Sequence, residues 1–130
     1  MVETIKWRGD QVWMIDQRKL PFKKEWFVCK SYKDVIKAIR EMVIRGAPAI
    51  GIAAAMGLAL GARSIRVKST EKFRARFGEI AREMELARPT AVNLRWAVQR
   101  MERLVDSMMG ASVESIGKAL RVESQRVLEE

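Results

Sequence analysis

Histidine is absent from all 130 residues, and cysteine occurs once. The first absence removes the usual general base at neutral pH and the commonest metal ligand. The second excludes an internal disulfide and any cysteine-rich metal site. Neither a Ser-His-Asp nor a Cys-His arrangement can be assembled from this chain alone. Proline is also scarce, with three residues. No low-complexity run and no repeat at a fixed period interrupts the sequence. The longest apolar run, residues 47–62, is shorter than the ~20 residues a helix needs to cross a bilayer. The charged, alternating N-terminus is unlike a secretory signal. A cytoplasmic protein with no membrane partner is the expectation.

What is present describes a single domain with a real core: 48% apolar and 32% charged residues, an ordinary globular composition. The formal net charge is +9. Such a balance suits nucleic acid, an acidic membrane or an anionic substrate. Here the basic residues are interleaved with glutamates, as on solvated helix faces, and a nucleic-acid partner is not expected. Cys29, in Trp26-Phe27-Val28-Cys29, reads as a buried, inert thiol, because a nucleophile would lack any histidine to activate it. The tryptophans at 7, 13, 26 and 96 read as core or interface residues. An RNA-binding sheet would need aromatics flanked by Lys or Arg on one open face.

Periodicity divides the chain into two parts of one domain. Residues 1–30 read as a small β-sheet: Ile5 and Trp7 alternate with polar neighbours, Gly9-Asp10 offers a turn, and Val12 to Ile15 and Trp26 to Cys29 are β-rich. Residues 31–130 read as helical. Ser31 and Asp34 make a capping box, followed by a face of Val35, Ile39, Met42 and Val43, with Arg45-Gly46 ending the helix. Pro48 suits the first turn of a second helix that is apolar on almost every side and ends at or after Gly61. Ser69 caps a third helix carrying Phe73, Phe77, Ile80 and Met84. Thr90 caps a fourth with Leu94, Val98, Met101, Val105 and Met108, which Gly110 stops. Ser112 opens a fifth with Val113, Ile116, Leu120 and Val127. The expected class is α+β: a small antiparallel three-stranded sheet followed by a bundle of about five helices. The helical pattern still runs at Glu130, which suggests a chain cut from something longer. A helix that simply reaches its natural terminus is the alternative.

Two loop segments share one design. In Arg45-Gly46-Ala47-Pro48 and in Arg88-Pro89-Thr90-Ala91, an arginine stands at a break, a proline follows, and a helix begins. A helix start is positive because its first N–H groups have no partner inside the helix. A guanidinium beside it suits a phosphate. If the second and fourth helices pack together, both starts could converge on one phosphate or polyol. Arg-Gly is also plain C-terminal capping, and Arg-Pro-Thr a plain loop-to-helix signal; local physics leaves both readings open. Asn93 reads as a helix-entry hydrogen bonder.

These same residues carry a family resemblance. Arg45-Gly46-Ala47-Pro48-Ala49-Ile50-Gly51, the helix running to Met56-Gly57-Leu58-Ala59-Leu60, and Arg88-Pro89-Thr90-Ala91-Val92-Asn93-Leu94-Arg95-Trp96-Ala97 resemble the N-terminal domain of methylthioribose-1-phosphate isomerases. Ile5-Lys6-Trp7 and Asp16-Gln17-Arg18-Lys19-Leu20-Pro21 fit the same pattern, so the likeness spans essentially the whole chain. The wider superfamily holds ribose-1,5-bisphosphate isomerases and regulatory subunits of a translation-initiation exchange factor. Their residues after Arg-Gly-Ala usually differ from Pro-Ala-Ile-Gly. The resemblance implies an aldose–ketose isomerase that converts 5-methylthioribose 1-phosphate to 5-methylthioribulose 1-phosphate in methionine salvage. It implies no metal or organic cofactor, a homodimer as the full-length enzyme, and a following Rossmann-like domain that holds the catalytic cysteine and aspartate and is absent from this sequence. It assigns substrate binding to Arg45, Gly46, Ala47 and Arg88, and no catalytic residue to this chain, which alone is expected to be inactive. A regulatory or interaction module like the exchange-factor subunits, or a ribose-1,5-bisphosphate isomerase, is the alternative.

Overall fold

Gly9, at φ 58°, turns the chain back on itself between two strands. In the computed structural model, which describes residues 4–130, these are β1 (Ile5–Arg8) and β2 (Gln11–Ile15), with β3 (Trp26–Cys29) following. The expected sheet segment 1–30 therefore includes residues 1–3, which lie outside the described residues. The sheet is antiparallel in the order β1-β2-β3, with Ile5 opposite Met14 and Val12 opposite Cys29. Those four residues are buried. They line the face against which the helices pack, as period-2 alternation requires. A single 3₁₀ turn, Gln17–Lys19, leaves β2; Asp16 caps it by accepting the Arg18 N–H at 3.0 Å.

Five helices complete the α+β domain: α1 (Tyr32–Arg40), α2 (Ala47–Arg63), α3 (Thr70–Glu85), α4 (Val92–Ser107) and α5 (Val113–Glu129). The central one is α2, which packs against all the other helices and against β1 and β2. Until Arg63 it carries no charged residue, and from Ala53 to Ala62 every residue is buried. That burial, not helix propensity, explains why a segment rich in glycine stays helical. Phe73, Phe77, Ile80 and Met84 of α3 and Leu94, Val98, Met101 and Val105 of α4 fill the same core. Truncating such a fully buried Phe costs about 3–5 kcal/mol.

The end of α2 falls after Gly61, as expected: the helix runs to Arg63, where Ser64 closes it by donating its hydroxyl to the Gly61 carbonyl at 2.6 Å. Four sequence expectations need correction. The first helix ends at Arg40, not at Arg45-Gly46. Met42 is therefore off its apolar face: it takes φ 62° and stays 44% exposed. Second, α4 begins one residue later than a Thr90 cap requires, with Ala91 at the N-cap. Third, α4 ends at Ser107 before Gly110 is reached. Fourth, of the tryptophans expected in core or interface none is fully buried, although Trp7 packs against the core. Trp7, Trp13 and Trp26 are half-buried and Trp96 is exposed. Each ring instead carries a cation over its face: Arg121 on Trp7, Arg8 on Trp13, Lys6 on Trp26 and Arg100 on Trp96. An amphipathic ring can trade burial for such a contact.

Candidate functional site: a cationic cleft at two helix starts

Serine hydroxyls close three of the five helix starts. Ser31 accepts the Asp34 N–H, Ser69 the Lys72 N–H and Ser112 the Ser115 N–H. The starts of α2 and α4 have no side-chain cap. At α2 the N-cap is Gly46, whose φ of 94° is a conformation that only glycine adopts without strain. Pro48 stands in the first turn and has no N–H to satisfy. The amides of Ala47 and Ala49 therefore have no acceptor within the helix. At α4 the N-cap is Ala91, and the amides of Val92, Asn93 and Leu94 are in the same position.

These two open starts belong to one cleft of about 550 Å³, lined by Met42, Arg45, Gly46, Ala47, Ile50, Arg88, Thr90, Ala91, Val92 and Asn93. Close packing at the foot of the cleft brings them together. A Cβ built on Gly51 would stand 3.2 Å from the backbone oxygen of Asn93, so any larger residue there would push α2 and α4 apart. The cleft thus gathers all four residues expected to bind substrate: Arg45, Gly46, Ala47 and Arg88.

Among the described residues, no carboxylate lines the cleft. Among the described residues, neither the Arg45 nor the Arg88 side chain has a hydrogen-bond or ion-pair partner. Arg40, Arg66, Arg82 and Arg103 are likewise without a partner among the described residues, whereas other arginines are engaged. Arg18 holds Asp16 and Glu41, Arg74 holds Glu102 and Asp106, and Arg100 holds Glu123 and Glu130. Two unpaired guanidiniums beside two uncapped helix starts make a concentration of donors with no internal acceptor. A charge near a helix end contributes about 0.3–1 kcal/mol at the surface and up to ~2 in partly buried geometry. Bidentate guanidinium contacts add geometric selectivity for a phosphate or carboxylate.

The cleft can hold and orient an anion, but it has nothing to move a proton. Guanidinium stays protonated at neutral pH, and Thr90 and Asn93 are neutral hydrogen bonders. Cys29 is not among the lining residues. It is fully buried, and burial, with a smaller contribution from Asp34, pushes its thiol up to about 12. That agrees with the inert thiol expected from the sequence.

The sequence reads Asn93 as a helix-entry hydrogen bonder, yet its side chain has no hydrogen bond among the described residues and it lines the cleft. Sequence reasoning misses Met42 as a cleft residue altogether. Its backbone forms a Schellman ending to α1: Val43 N–H donates to Ala38 O at 2.9 Å and Met42 N–H to Ile39 O at 3.4 Å. The left-handed position in that motif usually belongs to glycine. A β-carbon there costs roughly 1–2 kcal/mol. The one signal in the sequence is negative: no glycine follows the apolar stripe of α1 until Gly46.

Known proteins share this fold. Residues 43–130 match the Initiation factor 2 subunit family. Methylthioribose-1-phosphate isomerase of Geobacter metallireducens is 46% identical over 127 residues, covering 98% of this chain and 37% of that protein. The enzyme of the same name from Thermosipho melanesiensis is 45% identical over 127 residues, with 98% and 36% covered. The chain therefore spans little more than a third of the length of these curated relatives. Among solved structures, 5-methylthioribose 1-phosphate isomerase of Pyrococcus horikoshii superposes with a TM-score of 0.92 at 35% identity, over 98% of this chain and 36% of that one. The translation initiation factor eIF-2B, subunit delta, from A. fulgidus does so at 0.87 and 30% identity, over 99% and 37%. With the family match extending from Val43, just before the Arg45 turn, through the last helix, this chain belongs to the Initiation factor 2 subunit family.

Proposed function

We propose that this chain is the N-terminal, substrate-holding domain of an aldose–ketose isomerase acting on 5-methylthioribose 1-phosphate. The observation that carries the reading is the pair of uncapped helix starts, α2 and α4, opening on one cleft with the unpaired Arg45 and Arg88. A sugar phosphate supplies what that cleft lacks: anionic oxygens for the guanidiniums and hydroxyls for the open amides. Gly46 and Ala47 present backbone N–H groups, while Arg45 and Arg88 clamp and orient. The names of the relatives select the sugar.

Aldose–ketose conversion requires a group that takes hydrogen from one carbon and returns it to the next, within hydrogen-bond reach of the reacting atoms. No lining residue can do this, so the acid–base groups belong to the part of the relatives' length that this chain does not span. In the reading proposed here that part is a Rossmann-like domain, and the complete enzyme is a cytoplasmic homodimer working without a metal or organic cofactor. This chain alone is expected to bind without turnover. In the full-length enzyme, Arg88→Ala is expected to lower kcat/KM by about tenfold or more, the scale of a lost hydrogen bond between charged groups. Unchanged KM and kcat would remove Arg88 from the site.

A second reading is favoured by the eIF-2B delta likeness: a regulatory or interaction module. It predicts that a partner protein, not a sugar phosphate, protects the α2 and α4 amides from hydrogen exchange.

A further inference from the structure

The cleft is lined by two chemically distinct kinds of group, and only one is explained by an anion. Arg45, Arg88 and the helix-start amides are the groups that suit an anion. Met42, Ile50 and Val92 contribute apolar surface to the same cleft. Met42 is 44% exposed and Val92 71% exposed. Two of the chain's exposed large hydrophobics therefore face the space in which a sugar phosphate would lie.

Met42 is also a costly choice for its position. It stands at φ 62°, in the left-handed slot of the Schellman ending, which glycine fills without strain. The flanking backbone fixes it there. Val43 donates to Ala38 O at 2.9 Å on one side, and its carbonyl accepts the Gln17 N–H at 2.8 Å on the other. A residue serving the fold alone would be glycine or asparagine. Backbone strain that stability does not require points toward a functional use of the side chain. A thioether is flexible and polarisable and packs well on another apolar or sulfur-bearing group.

We infer that Met42, supported by Val92, is a specificity-determining residue: it seats the apolar alkylthio substituent of the sugar phosphate and so selects against a hydroxyl or a second phosphate at that carbon. The inference rests on the sugar-phosphate reading of the cleft. The selection has a simple origin. A hydroxymethyl group loses water against Met42 and Val92 without gaining a hydrogen bond, and a second phosphate loses far more. An apolar seat of this size discriminates by about 10–200-fold.

The test is an NMR titration of this chain, labelled at methionine methyls and backbone amides, with 5-methylthioribose 1-phosphate and with ribose 1-phosphate. The Met42 methyl is assigned by its loss in Met42→Gly. Both ligands are expected to shift the Gly46 amide. Only the methylthio sugar is expected to shift the Met42 methyl, and it should bind about tenfold more tightly. Met42→Gly should bring the two affinities within about twofold of each other, while its melting temperature equals or exceeds that of the parent. An unmoved Met42 methyl, a preference that survives Met42→Gly, or a lower melting temperature in that variant would overturn the inference and leave the cleft reading standing. A Gly46 amide that responds to neither sugar would overturn the cleft reading itself, and the role of Met42 with it.

Discussion

Gly51 lies so close to Asn93 that a β-carbon on the first would meet the carbonyl oxygen of the second at 3.2 Å and its β-carbon at 3.6 Å. This contact sets the spacing of the α2 and α4 starts and hence the width of the cleft. A backbone carbonyl cannot swing aside as a side-chain tip can. Gly51→Val should therefore destabilise the fold by about 1–3 kcal/mol through overpacking. It should also weaken anion binding by widening the cleft. Urea unfolding and a phosphate titration measure the two effects, and a variant as stable as its parent would show that the helices are free to separate.

Acid should weaken the fold through carboxylates that are held charged. Asp16 is 3% exposed and accepts three hydrogen bonds from Arg18: from its backbone N–H, from Nε at 2.9 Å and from Nη2 at 2.8 Å. The side-chain hydrogen bonds keep its carboxyl below the usual range, although burial pushes the other way. Glu123 is lowered in the same manner by its hydrogen bond to Arg100. A carboxylate whose folded pKa is depressed stabilises the protein above its unfolded pKa, and that stability is lost as pH falls through the folded value. Unfolding free energy should thus fall below about pH 5, through the range of ordinary carboxylates. Asp16→Asn should cost about 1–3 kcal/mol at pH 7, and the difference from the parent should shrink below about pH 4. A gap that stays constant down to about pH 3 would contradict the Arg18 assignment.

The single thiol should be unreactive while the chain is folded. Cys29 is fully buried in β3 and its thiol is pushed up to about 12, so almost no thiolate exists at about pH 8. A thiol-specific dye should label it only in denaturant, with one equivalent per chain. Rapid labelling of the native protein would mean that β3 opens far more readily than its place in the core implies.

The parts of the fold that announce themselves are those in which local chemistry and tertiary packing agree. Ser31, Ser69 and Ser112 cap the helices they precede, and the stripe of Phe73, Phe77, Ile80 and Met84 is buried as a 3.6-residue period requires. Arg45 and Arg88 are legible as a pair because each stands at a break before a helix. Met42 is not, because its i, i+4, i+7 spacing from Val35 fits a helical face, while the left-handed turn that excludes it carries no glycine to mark it. Thr90 misleads for the opposite reason. It is a good capping residue one position too early, and the cap falls on Ala91, which has no side-chain oxygen to offer. In both cases the local rule fails at the cleft, which is where a departure from local rules is expected if the cleft is a functional site.

The shared cleft is tested most directly by following the amides of both helix starts, Ala47 on α2 and Val92 and Asn93 on α4, during one titration with 5-methylthioribose 1-phosphate. A single site between them requires all three to shift along one binding curve with one Kd. Arg88→Ala must then weaken the response at Ala47 as much as at Asn93, about tenfold or more, with no loss of melting temperature because the Arg88 side chain has no partner among the described residues. Different affinities at the two helix starts, or an Ala47 response untouched by Arg88→Ala, would mean that Arg45 and Arg88 serve separate surfaces and hold no common ligand.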